Sequence, residues 1–417
     1  MIKNNKHNII VLLLIFLTIT SLVLGFFFNE DLSTGGATWD FKKTWPIIIS
    51  YSNLNFFNAP ELTRHMPLHY IIMSVFNSIS GSQNGTKLIY LLFSFLSLFF
   101  LYLNISKIYN QKKILIIFFC STLCLLPLFR ASVIWSNAHL TAIIFFLIGN
   151  YFYLKSKEKG ILFYKALNLL FLSFSIYSVQ TYLIIFLFYL YRYFISEKFI
   201  EFFKLFLFSG LFSLPGVFFI FLNPRITELA SLFTRDFYFT VSTNFSIIFF
   251  FLSFLIINNE NFKILLDKVK SLKWIEVLIF SIIFFFMMYN SNFFIFGHVH
   301  RGGGFFYKLS YFILNNNYIF ILSAFFGLIM SYIITKIEPK FLYILLIMNL
   351  MCLSFVIYQK YFEPLFMILT ITLFKNFLIN NILLNLKNIL IFYILIFLYF
   401  IIAYINYLNN FSYKLVG

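Results

Sequence analysis

Apolar residues in this chain come in long unbroken runs, not in the alternating pattern of strands or the one-faced pattern of soluble helices. Thirteen runs approach the ~20 residues that a helix needs to cross a bilayer. They cover residues 8–28, 87–104, 114–128, 139–154, 162–177, 181–195, 203–222, 242–257, 274–296, 318–334, 341–357, 365–380 and 389–407. Polar residues gather between them. The pattern predicts an all-α, polytopic transmembrane helix bundle of about 13 spans, forming one transmembrane domain over residues 1–417.

The longest polar stretch, residues 29–86, follows the first run. Connections of this length are usually structured or functional. Its second half carries Leu68, Ile71, Ile72, Val75, Phe76 and Ile79 at helical spacing, opened by Pro67 and closed at Gly81. That predicts a helix over 67–80, too short to span, lying in the interface plane with Arg64, His65 and His69 at headgroup level. Further forward, a Gly-containing turn leads to a helix over 41–52. Pro46 argues for a late start, which makes Asp40 its cap or the residue just before it.

Composition agrees with the membrane class: 61% hydrophobic, 11% charged, 65 Phe and a mean hydropathy of +0.91. Lysine and arginine are retained on the cytoplasmic side. An N-in arrangement puts 20 of the 31 basic residues inside and leaves 11 outside, and it makes residues 29–86 the first outer loop. The first run ends in Phe26, Phe27, Phe28 and Asn29, without the small residues of a cleavage site, so it reads as a retained anchor. The net charge of +17 follows from this bias and from contact with anionic lipid. No basic segment is interleaved with a soluble fold, so nucleic acid is not a predicted partner. Cys120, Cys124 and Cys352 sit in apolar runs as small fillers.

On the same N-in reading, five of the six histidines and five of the six arginines face outward. Residues 127–139 bring Arg130, Trp135, Asn137 and His139, and the turn at 178–182 brings Gln180, Thr181 and Tyr182. Gly297–Gly304 holds His298, His300 and Arg301 among glycines that let backbone approach a ligand, with donors suited to a phosphate. No cysteine or carboxylate completes a metal set around His298 and His300, so no metal is expected. There is no Gly-rich βαβ unit for a nucleotide donor.

This layout resembles the GT-C superfamily of membrane glycosyltransferases. The segment from Asp40 to Phe56, followed by Arg64, His65, Met66, Pro67, Leu68, His69 and Tyr70, is similar to the acidic start of that superfamily's first outer loop and its later Pro-Leu-x-Tyr helix. Asp40 with Pro46 and Tyr51, Gln180 with Thr181, and Gly297–Arg301 look most like the dolichyl-phosphate-glucose α-1,2-glucosyltransferases. That family has Asp-Glu at the loop start, whereas Phe41 follows Asp40 here and Glu30 and Asp31 lie upstream.

The resemblance implies transfer of a sugar from a polyprenyl-phosphate donor to a glycan or lipid-linked acceptor, with inversion and without a cofactor. Asp40, with Asp31 as alternative, would be the base. Arg301, His298, His300, Arg130 and Arg64 would hold the donor phosphate. His65, His69, Asn137, His139, Gln180 and Tyr182 would line the substrate site. A bacterial inner membrane with the site facing the periplasm fits the composition. A polysaccharide polymerase or ligase, and a lipid-linked glycan flippase or transporter, are the competing readings.

Overall fold

The computed structural model describes residues 2–33, 36–54, 65–222, 237–289, 304–352, 359 and 362–416. Among these, every regular element is a helix and none is a strand. In lipid a helix satisfies its own backbone, so long apolar runs leave little else open to the chain. The described residues of the thirteen runs are mostly helical. Six helices are long and apolar enough to cross a membrane, or up to nine if three pairs bent by 76°, 99° and 86° each count as one span. Others, such as Leu162–Ser178 and Phe341–Met351, fall short of the ~20 residues of a full span.

The contacts divide the chain into two compact units, residues 1–230 with 397–417 and residues 231–396. The run of apolar segments does not announce that division.

The first unit contains α1 (Ile2–Phe27), α2 (Gly36–Ser52), α3 (Leu68–Ser80), α4 (Gln83–Ile108), α5 (Lys113–Ser121), α6 (Pro127–Ile134), α7 (Ala138–Lys159), α8 (Leu162–Ser178), α9 (Leu183–Ser196) and α10 (Phe199–Leu222). A 3-10 turn over Thr122–Leu125 joins α5 to α6, and another over Gln180–Tyr182 opens α9. Buried asparagines tie the long helices together. Asn104 on α4 donates to the Leu147 carbonyl, Asn150 on α7 donates to Asn104, and Tyr189 on α9 donates to Asn150 at 2.5 Å. Asn168 on α8 donates to the Gly149 carbonyl and accepts from Tyr193. Such bonds act as interhelical glue where lipid supplies no hydrophobic drive. At one end of the unit, Lys107 meets Glu158 at 2.6 Å and Lys165 pairs with Glu197 and Glu201. The first loop lies at the other end.

The second unit contains α11 (Phe237–Ile256), α12 (Asn259–Lys270), α13 (Trp274–Tyr289), α14 (Gly304–Leu314), α15 (Tyr318–Ile337), α16 (Phe341–Met351), α17 (Leu365–Thr372) and α18 (Phe377–Leu383). The final helix, α19 (Leu386–Val416), has its first part in this unit and its remainder in the first. Backbones of α11 and α15 nearly touch: a Cβ added at Gly327 would stand 2.0 Å from the Phe245 carbonyl oxygen, and Ser246 and Ser323 share a hydrogen bond of 2.6 Å.

Candidate active site at the first-loop end

Where α1 ends, Asn29 adopts a left-handed φ of 49° and turns the chain so that Glu30 points back into the bundle. There it meets Arg130 of α6 in a bidentate pair, Nε to Oε1 at 2.7 Å and Nη2 to Oε2 at 2.8 Å. The guanidinium also donates to the Ser21 hydroxyl, the Ser21 carbonyl and the Cys124 carbonyl. All five of its N–H groups therefore have partners within the protein. Gly25 makes room for this: a Cβ there would lie 2.7 Å from Arg130 Nη2 and 2.9 Å from Glu30 Oε2. The Trp135 indole donates to the Glu30 carbonyl, and Lys87 lies 4.2 Å from the centre of the Trp135 ring while donating to Asn29.

Asp31 is the cap of α2. Its Oδ1 accepts from the Ser33 amide and hydroxyl, and its Oδ2 accepts from the Thr38 amide and hydroxyl at 2.8 and 2.6 Å. The Ser33 hydroxyl in turn accepts from the Ala37 amide. This double cap sets the helix start at Gly36, earlier than Pro46 suggested. Asp40 is accordingly neither the cap nor ahead of it. It lies inside α2, half-buried, eleven residues or about three turns before Tyr51 and so on the same face.

Across from α2, α3 turns a different face inward than its apolar stripe suggests. His69, Tyr70, Met73 and Ser74 are buried, while Ile71, Val75 and Ile79 are exposed. In a bilayer the apolar stripe faces lipid and the polar aromatic face becomes the interior. His69 is therefore enclosed by protein. Its Nδ1 lies 2.9 Å from the Thr141 hydroxyl, which lies 3.0 Å from the Tyr90 hydroxyl, and Tyr90 donates to the Asn137 carbonyl. Burial, helped by His65, pushes the His69 pKa down to about 3 against an opposing backbone hydrogen bond at Ser136. It is thus a neutral imidazole at physiological pH. Burial also raises the Tyr70 phenol, with the nearby Tyr51 and the charge of Asp40 adding to the shift. Asp40 therefore acts electrostatically on Tyr70, the neighbour of His69 on α3.

Three half-buried side chains border these groups. His65 Nδ1 lies 3.4 Å from Gln180 Oε1, and the His65 ring meets the His139 ring edge-on at 5.3 Å. Asn137 caps α7 by accepting from the His139 amide. Tyr182 is buried nearby in the chain, in the turn that opens α9.

No family model, curated protein or solved structure matches the chain.

Residues from the first loop, the α6–α7 connection and the α8–α9 turn, separated by up to 115 positions, thus meet at one end of the first unit. Arg130 and Asp31 stand apart from the other candidates: their hydrogen bonds account for them as the clamp on α1 and the cap of α2. Arg64, His298, His300 and Arg301 lie outside the described residues. Sequence reasoning passed over Tyr90, Thr141 and Lys87, which sit inside runs read only as spans. Lys87 and Thr141 each stand at a helix start, where a polar residue on the protein-facing side is the available signal.

Proposed function

We propose that the protein is a membrane glycosyltransferase that moves a sugar from a polyprenyl-phosphate donor to a glycan or lipid-linked acceptor. The observation that supports this best is a half-buried carboxylate, Asp40, on a capped helix whose charge reaches Tyr70 of α3, in the same unit where His65, His139, Gln180 and Asn137 gather. Asp40 takes the proton of the acceptor hydroxyl as it attacks the anomeric carbon, a role typically worth 10²–10⁴-fold. His65, His139, Gln180 and Asn137 present uncharged or titratable hydrogen-bonding groups of the kind that bind sugar hydroxyls. His69 is neutral and acts as a fixed partner of Thr141.

The departing phosphate gains charge as the bond breaks and requires preorganised cations. The resemblance to the GT-C superfamily assigns that task to Arg301, His298, His300 and Arg64, whereas Arg130 and Asp31 keep structural tasks. Thirteen spans with the N-terminus inside would turn the site to the periplasmic face of a bacterial inner membrane. A donor carried on lipid reaches such a site laterally.

Two of the sharply bent helix pairs, Lys113–Leu125 with Pro127–Ile134 and Leu365–Thr372 with Phe377–Leu383, favour a second reading, a transporter or flippase of a lipid-linked glycan, since broken helices build substrate sites in transporters. Incubating purified protein with radiolabelled polyprenyl-phosphate sugar and membrane extract separates the two. Release of free polyprenyl phosphate with label in a new glycan supports transfer. Movement of intact donor between leaflets without loss of its sugar supports transport.

A further inference from the structure

The α12 segment of the second unit carries a feature that the transferase reading does not use. It is a 12-residue helix bent by 99° from α13, and between them lies a break of three residues, Ser271, Leu272 and Lys273. Only Asn261 and Leu265 of α12 are buried. Asn261 fastens it to the unit by donating to the Leu255 and Leu378 carbonyls and accepting from Asn381. At 100° per residue, Phe262, Leu266 and Val269 fall within about 60° of arc, and all three are exposed. Phe262 is 55% exposed.

Lys263 and Lys270 border that stripe on its outer side. The acidic residues Glu260 and Asp267 lie farther round the helix, away from Phe262, Leu266 and Val269, with the exposed Ile264 beyond them. Lys273 and the exposed Trp274 stand at the junction with α13. Continuing α12 into the hydrocarbon as half of a broken span would carry the charged Lys263, Lys268 and Lys270 with it, which lipid strongly disfavours. Beside a membrane-crossing α13, the 99° bend instead lays α12 along the surface. Glu276 on α13 binds Lys336 and Tyr332 of α15, so the basic ends of α13 and α15 lie together.

We infer that α12 is an interfacial anchor that binds anionic lipid headgroups, with Phe262, Leu266 and Val269 in the acyl region and Lys263 and Lys270 on the phosphates. Apolar burial and basic flanks together are what such a helix needs. The charge arrangement selects lipid over a protein partner: two lysines edge the apolar stripe, as a leaflet of acyl chains beneath anionic headgroups requires.

Two measurements on the full-length protein test this. Single spin labels at Phe262, Leu266 and Asp267 in nanodiscs report depth: the first two should relax with oxygen and the third with a water-soluble nickel chelate. Native mass spectrometry with phosphatidylglycerol and phosphatidylcholine should show a phosphatidylglycerol preference that falls about fivefold for each lysine removed in Lys263→Gln and Lys270→Gln. Binding of phosphatidylcholine should not change. Both lysines are exposed, so the variants should fold. An unchanged lipid preference, labels at 262 and 266 that relax with the nickel chelate, or labels shielded from both reagents as under a protein partner would each overturn the inference.

Discussion

Replacing Arg130 by methionine should destabilise the protein more than replacing Arg130 and Glu30 together. Arg130 is 1% exposed and Glu30 5%, so the single change strands a carboxylate in the bundle without its bidentate partner. Breaking a buried pair from one side costs about 3–5 kcal/mol, whereas exchanging both partners for apolar or neutral groups of similar size is often close to neutral. The Ser21 and Cys124 carbonyls also lose their donor, which adds to the loss in both variants. Thermal unfolding of Arg130→Met, Glu30→Gln and the double variant in one detergent gives the ranking directly. The double variant should recover part of the Tm lost in Arg130→Met. A single variant as stable as wild type, with donor affinity reduced instead, would refute the structural role and return Arg130 to the phosphate site.

Other consequences follow from the same contacts. His69 has a folded pKa near 3 against an ordinary value of 6.5, so between these values the unfolded chain binds the extra proton. Its contribution is complete above pH 6.5, and about 2 kcal/mol of it should be gone by pH 5. The unfolding midpoint of wild type should therefore drop over that interval, and the drop should shrink in His69→Gln; equal pH profiles would count against a buried neutral imidazole. Asn150→Leu removes the bond to Asn104 and the acceptor of Tyr189, and at roughly 0.6–2 kcal/mol per interhelical bond should lower the unfolding midpoint by several degrees. Cysteines at the exposed Ser82 and Lys159 should react from opposite sides with an impermeant thiol reagent, Ser82 from outside. Labelling of Lys159→Cys from outside would reverse the proposed orientation.

Much of the framework was readable because hydropathy and helix length are local properties. The described residues of the runs are mostly helical, and the Pro67-to-Gly81 segment forms a helix over Leu68–Ser80 with Gly81 in the left-handed region. What escaped depends on contacts across the bundle. Asp31 and Asp40 are both carboxylates near one end of α1, and the Ser33 and Thr38 hydrogen bonds are what mark Asp31 as the one that caps α2. Arg130 was legible as an important cation but not as the partner of Glu30, 100 residues away. The inward face of α3 was not legible because an apolar stripe does not say whether it meets lipid or protein, and here His69 and Tyr70 are the residues turned to the protein. The meeting of His65, His139 and Gln180 required only that three connections share one end of the unit, which the alternation of spans already implied.

The measurement that bears most directly on the account is turnover of a labelled polyprenyl-phosphate sugar by wild type, Asp40→Asn and Asp31→Asn, with unfolding midpoints recorded in parallel. Asp40→Asn should lose at least about 10²-fold in transfer at an unchanged midpoint, the loss expected on removing a general base. Asp31→Asn should keep measurable transfer while losing about 1–3 kcal/mol of stability, because its amide NH2 cannot accept the bonds that the second carboxylate oxygen takes. Near-normal transfer in Asp40→Asn, with the loss appearing instead in a stably folded Asp31→Asn, would contradict the assignment of Asp40 as the base.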